Sequence, residues 1–254
     1  MTSGSTTERA DPRSAPAVTV NSDMGESVGI HSFGHDDSLL ELIDTANVAC
    51  GFHAGDPSGI AETVRKAAAA GVSIGAHPGL PDLIGFGRRE MKLLPDEVRD
   101  LVRYQVGALV GFLHAEGLPL DHIKAHGSLY GMVARDEELM GAVCDVAEQY
   151  GVGVFGMTGT AHERVATRRG LPFTAEFYVD LGYRADGSLI IARRPQATPV
   201  EVATERARLA LSEGMAIADT GERLPMTFTS ICVHSDTPNA TEVARAIRAV
   251  LDGA

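Results

Sequence analysis

Four short apolar runs of this chain end on histidine, and that repetition constrains the fold more than any bulk property does. They cover residues 46–53 (Ala-Asn-Val-Ala-Cys-Gly-Phe-His), 72–77 (Val-Ser-Ile-Gly-Ala-His), 123–126 (Ile-Lys-Ala-His) and 231–234 (Ile-Cys-Val-His). Each reads as a buried strand that stops at a polar side chain, with a glycine, proline or aspartate close behind. Enzymes of the α/β class place their chemistry at the carboxyl ends of such strands. One strand end of this kind carries little information; four point to a common site.

Further apolar runs near residues 18, 154 and 176 bring the strands to seven, near 18, 48, 74, 124, 154, 176 and 231. Helical patterns over 36–45, 57–70, 95–116, 136–149, 160–169, 199–212 and 241–251 separate them. Several have proline at the start and glycine just past the end, as with Pro57 and Gly71. Regular alternation implies a parallel sheet covered by helices. Right-handed crossovers bring every strand's carboxyl end to one rim. Polar residues follow almost every strand instead of gathering at one switch point. The expected fold is therefore a seven-stranded β/α (TIM-like) barrel and not a doubly wound sheet. It occupies residues 17–254 as one domain. Residues 1–16, rich in Ser, Thr, Pro and Arg, read as a disordered leader without the apolar core of a secretory signal.

Bulk properties mainly exclude. A formal net charge of −12 argues against nucleic acid or anionic membrane as a partner, and no run approaches the length of a membrane span. Cys50, Cys144 and Cys232 show no paired spacing, which fits a reducing, cytoplasmic setting. Cys50 and Cys232 read as small buried hydrophobes, not nucleophiles. No phosphate-loop, dinucleotide, serine-elbow or His-Glu-x-x-His motif is present.

If the barrel forms, its rim collects a specific set. Asn21, Asp23 and Glu26 follow the first strand, His53 and Asp56 the second, His77 and Asp82 the third. Lys124, His126 and Tyr130 mark the fourth, Glu176, Asp180 and Tyr183 the sixth, His234 and Asp236 the seventh. Such carboxylates and imidazoles suit a divalent metal, general acid–base chemistry, or both. A lysine inside an apolar strand requires a carboxylate partner, so Lys124 should face the pocket. Asp56 equally suits a helix start, where it would balance the macrodipole. Arg88, between glycines and Arg89, suits either a solvated loop or anion binding. His31, His35, His114 and His162 fall in loops or helices and read as structural.

These motifs resemble the LamB/YcsF family, to which the A component of 5-oxoprolinase belongs. The resemblance rests on Asn-Ser-Asp-Met-Gly-Glu (21–26), Ala-Asn-Val-Ala-Cys-Gly-Phe-His-Ala-Gly-Asp (46–56) and Gly-Ala-His-Pro-Gly-Leu-Pro-Asp (75–82). Gly-Phe-Gly-Arg-Arg (85–89), Lys-Ala-His-Gly-Ser-Leu-Tyr (124–130), Asp-Gly-Ser-Leu (186–189) and Cys-Val-His-Ser-Asp (232–236) continue it in order. It implies a barrel of the glycoside hydrolase/deacetylase type. It also implies ATP-dependent opening of 5-oxoproline to glutamate together with subunits B and C. Three positions depart from the family pattern: Ala125 stands where proline is usual, Leu181 where arginine is usual, and Ser235 where glycine is common. Arg184 and Arg193 are candidate replacements for the cation absent at 181.

The expected reactive centre is Asp23, His53, His77, Lys124, His126 and His234. Asp23 would pair with His53 or His234 to activate water or to hold a divalent metal, and Lys124 would offset negative charge on an intermediate. Asn21, Glu26, Asn47, Asp56, Arg88, Tyr130, Glu176, Asp180 and Asp236 are the substrate-binding candidates. Two other readings stay open: a metal-dependent amidohydrolase or deacetylase that acts alone, and a non-catalytic substrate-binding subunit.

Overall fold

Side chains alternate across a strand, so a closed barrel turns every second residue inward. The computed structural model of the protein describes residues 18–31, 34–192 and 196–253. Six strands come first: β1 (Thr19–Met24), β2 (Thr45–Ala49), β3 (Ser73–His77), β4 (His122–Ile123), β5 (Gly153–Gly156) and β6 (Phe173–Tyr178). Two hairpins follow, β7 (Gly182–Tyr183) with β8 (Leu189–Ile190), and β9 (Met215–Ile217) with β10 (Arg223–Pro225), before β11 (Ser230–Cys232). The hydrogen-bonded order β1-β11-β6-β5-β4-β3-β2 closes on itself, and its pairings are parallel. These seven barrel strands are the seven expected from the apolar runs.

The helices are α1 (Asp36–Leu39), α2 (Pro57–Ala69), α3 (Pro95–Ala115), α4 (Gly127–Arg135), α5 (Glu137–Tyr150), α6 (Ala161–Arg168), α7 (Val200–Glu213) and α8 (Ala240–Asp252). Caps set several starts: Asp56 accepts from the Ser58 and Gly59 amides, and Asp136 from those of Glu138 and Leu139. Gly151 ends α5 in the left-handed conformation. Each helix buries a stripe against the barrel, as Ala240, Val243, Ala244 and Ile247 do on α8. None among the described residues is long and apolar enough to cross a membrane.

Two expectations change. The second strand ends at Ala49, so His53 lies in a turn in which the Gly51 amide donates to the Ala54 carbonyl at 2.9 Å. Helix α4, in a segment read as rim loop, begins directly after His126. The leader falls on residues outside those described.

Candidate active site at the carboxyl-end rim

Strand alternation builds the floor. Val20, Phe177 and Ile231 join the apolar core, while their neighbours Asn21, Asp23, Glu176 and Cys232 meet inside the barrel around Lys124. The Lys124 ammonium is 2.9 Å from Asp23 Oδ1, 2.9 Å from Glu176 Oε1, 3.2 Å from Asn21 Oδ1 and 3.2 Å from Cys232 Sγ. Burial opposes its charge, but the Asp23 and Glu176 carboxylates prevail and hold its pKa well above the ordinary lysine value. Cys232, read from sequence as a plain hydrophobe, is buried but touches this ammonium; burial keeps it a thiol.

Asp23 is the junction. Its Oδ1 accepts from Asn47 Nδ2 at 2.8 Å as well as from Lys124, and its Oδ2 faces His77 Nε2 at 3.2 Å and His234 Nε2 at 3.6 Å. Burial would raise its pKa; His77 and Lys124 outweigh that and leave it an anion. Asn47 also donates to Asn21 Oδ1 at 2.9 Å and accepts from His122 Nε2 at 2.7 Å, with Asp121 2.9 Å behind that ring. Asn47 therefore orients Asp23, and Asp121 and His122 orient Asn47.

On the opposite side, Asp180 grips His234 twice. Its Oδ2 accepts the His234 amide at 2.7 Å and its Oδ1 lies 3.0 Å from Nδ1. Burial disfavours an imidazolium here, but Asp180, then Asp23 and Asp236, overcome it and push the pKa up to about 9. His234 is thus a cationic acid aimed at Asp23, steadied by the stacked ring of Tyr178. Tyr130 and Tyr178 both donate to Glu176 Oε2, at 3.3 and 2.9 Å.

A wall of imidazoles completes the ring. His53 and His126 stack with centroids 3.7 Å apart and planes within 4°. His126 Nδ1 is 3.0 Å from His77 Nε2, and Glu26 Oε1 lies 3.4 Å from His53 Nε2 and 3.5 Å from His126 Nδ1. Burial and the neighbouring imidazoles hold both His53 and His126 well below their ordinary pKa; burial, Asp236 and Asp23 push Glu26 well above its own. Glycines make the room: a Cβ on Gly79 would stand 2.4 Å from His53 Nδ1, and one on Gly87 2.8 Å from His53 Cβ.

Above the floor opens a cleft of about 320 Å³, bordered by Asp23, His77, Lys124, Tyr178, His234 and Asp236. That volume suits a small ligand. Arg88 closes one side, 2.7 Å from Asp236 and folded over the Phe86 ring, so it is neither a solvated loop charge nor free to take an anion.

The geometry corrects three expectations. Asp56 is the cap of α2, also accepting the Gly29 amide at 2.8 Å, and borders none of the cleft. The pairing of Asp23 with His53 is replaced by Asp23 with His77 and His234, since His53 sits against Glu26. For the same reason the metal candidates Asp23, His53 and His234 fall into two clusters: Glu26, His53, His77 and His126 in one; Asp23, Cys232 and His234 in the other. Leu181 lines the cleft where a cation was expected, and Arg206 of α7 stands at that wall, donating to the Val179 and Leu181 carbonyls. Arg184 borders an adjoining cavity; Arg193 lies outside the described residues. His162 is structural as read, bridging the Tyr130 carbonyl and the Met157 amide. Sequence reading missed His122 and Tyr178. Both sit two positions from a singled-out residue, Lys124 and Glu176, so strand alternation alone would have placed them on the same face.

Fold and rim together define a closed seven-stranded parallel β/α barrel with a buried ionisable site at its carboxyl-end rim. The likeness to a GH113 β-1,4-mannanase (TM-score 0.52, 10% identity, 94% of this chain and 100% of that one) is one of fold alone. The chain belongs to the LamB/YcsF family, whose model matches residues 18–254. It is 45% identical over 237 residues to the lactam utilization protein lamB of Emericella nidulans, covering 92% of this chain and 93% of that protein. It is 44% identical over 241 residues to the 5-oxoprolinase A component of Thermus thermophilus, covering 93% and 96%. The crystal structure of a lactam utilization protein from Thermus thermophilus superposes with a TM-score of 0.84 at 42% identity, covering 93% and 96%.

Proposed function

We propose that the protein is the A component of a hydrolase that opens a cyclic amide, converting 5-oxo-L-proline to L-glutamate with ATP and with subunits B and C. The observation that carries this reading is the arrangement around Asp23. An anionic carboxylate and a cationic imidazolium, His234, face each other at the edge of a cleft sized for a small ring. Asp23 serves as the base that takes a proton from water, and His234 as the acid that supplies one to the departing ring nitrogen. Lys124 supplies positive charge where negative charge develops on the amide oxygen. His77 and His126 form the wall that holds the ring in place, with His53 stacked behind His126.

Coupling to ATP fits the chemistry, because an unstrained lactam is a poor electrophile until its oxygen is activated. ATP is the second substrate. The adjoining cavity of about 1050 Å³, bordered by Arg164 and Arg184 as well as by Glu90 and Asp186, offers the volume a triphosphate requires. The names of the relatives support the partner and substrate assignments, one being a component of 5-oxoprolinase and the other a lactam utilization protein.

The test is a reconstitution: the purified chain with candidate B and C subunits, assayed for ATP-dependent glutamate release from 5-oxoproline. Release that requires all three chains is expected, as is its loss in His234→Ala. Glutamate release by the partners alone would overturn the assignment.

A further inference from the structure

The tautomers of two buried imidazoles are set by the backbone. His77 Nδ1 lies 2.9 Å from the Lys124 carbonyl oxygen, and His126 Nε2 lies 2.8 Å from that of Phe86. A carbonyl only accepts, so those nitrogens carry the hydrogens, and the opposite nitrogen of each neutral ring holds a lone pair. The two lone-pair nitrogens, His77 Nε2 and His126 Nδ1, face each other at 3.0 Å. Two neutral rings fixed in this way repel unless a cation lies against both.

A proton is one such cation. Carried on His77 Nε2 and shared between Asp23 Oδ2 and His126 Nδ1, it would satisfy that pair. It would leave Glu26 Oε1 buried without a hydrogen-bond partner. A divalent ion accounts for Glu26 Oε1 and the two lone pairs together. We propose that Glu26, His77 and His126 bind a divalent transition-metal ion of the zinc type at the wall of the cleft.

The geometry fits. Ligand atoms about 2.05 Å from a tetrahedral zinc ion stand roughly 3.3 Å apart. The separations of 3.0 Å between the two nitrogens and 3.5 Å from His126 Nδ1 to Glu26 Oε1 bracket that value. A backbone carbonyl behind each ring is the outer partner that metal-binding histidines ordinarily have. Two imidazoles and a carboxylate also leave a fourth position open, the pattern of catalytic and not structural zinc sites. His53 is not a ligand: its plane lies parallel to that of His126, so its lone pairs do not aim at an ion held by His126. The other cluster, Asp23 with Cys232 and His234, already holds a cation in the Lys124 ammonium.

This site stands whichever amide the cleft receives, and its test needs neither substrate nor ATP. The full-length protein is treated with chelator and titrated with Co²⁺. One equivalent should bind with the visible absorption of four- or five-coordinate cobalt, be displaced by Zn²⁺, and raise the thermal midpoint. Glu26→Gln, which keeps the side-chain shape, should weaken binding at least about 10-fold, since loss of even an outer partner does so. His126→Ala should abolish it and Cys232→Ser should leave it intact. If His126→Ala fails to fold, Glu26→Gln carries the test. No stoichiometric uptake by the unaltered protein, equal affinity in Glu26→Gln, or loss in Cys232→Ser would overturn the proposal.

Discussion

Lys124 has almost no solvent contact and two carboxylates within 2.9 Å. Replacing it with methionine keeps the volume but strands Asp23 and Glu176 as buried anions. Removing one partner of a buried pair costs about 3–5 kcal/mol, so Lys124→Met should lower unfolding free energy by that order in a denaturant titration. An unchanged midpoint would contradict the pairing. His234 makes a second prediction through proton linkage. Its pKa in the folded chain, about 9, lies above the ordinary histidine value of 6.5. The stability it contributes is complete below about pH 6.5 and is lost as the pH rises through about 9. In Asp180→Asn the burial that opposes its charge is no longer outweighed to the same extent. The midpoint of the His234 titration, followed by NMR, should fall, and a midpoint that stayed near 9 would show that Asp180 is not the cause. Most of these residues were visible in the sequence because they interrupt apolar strands. What was not visible is which carboxylate faces which imidazole: Asp23 with His77 and His234, and Glu26 with His53, follow from how far the turns after β1 and β2 carry the chain.

At the scale of elements, the connections after the strands decide what reaches the cleft. Asp56 belongs to the start of α2, so Asp56→Ala should lower the thermal midpoint while leaving turnover of a reconstituted complex unchanged; a large loss of turnover would return it to the site. Gly79 behaves in the opposite sense. A methyl group there would meet the His53 ring, already confined by Gly87 and His126. Gly79→Ala should therefore abolish turnover with native circular dichroism, whereas full turnover would show that the imidazole wall can shift freely. The seven barrel strands and seven of the helices were legible as alternating apolar runs with caps. Helix α4 was not, because Gly127 and Gly131 lower its propensity and its buried Leu129, Tyr130, Met132 and Val133 supply the stability through packing. The hairpins β7–β8 and β9–β10 escaped for a related reason. Their strands stand outside the βα alternation that reveals the barrel, and they exist because neighbouring segments pair with them.

For the molecule as a whole, closure is between β1 and β11, where Val20 lies opposite Ile231 and the Asn21 side-chain Nδ2 donates to Ser230 Oγ from 209 residues away. A chain stopped before Ser230 leaves β1 and β6 as open edges and removes His234. It should scatter light as an aggregate and lack native circular dichroism; a soluble monomer of normal helix content would contradict that dependence. The same seam carries a consequence for biosynthesis. Asp23 is translated long before His234, and the contact that joins their strands is among the most distant in sequence the chain can make. Until β11 emerges, the nascent polypeptide is an incomplete cylinder with two unpaired margins, and loop closure over such a span comes late and slowly. The protein should therefore fold after synthesis and not during it, and depend on chaperones while it waits.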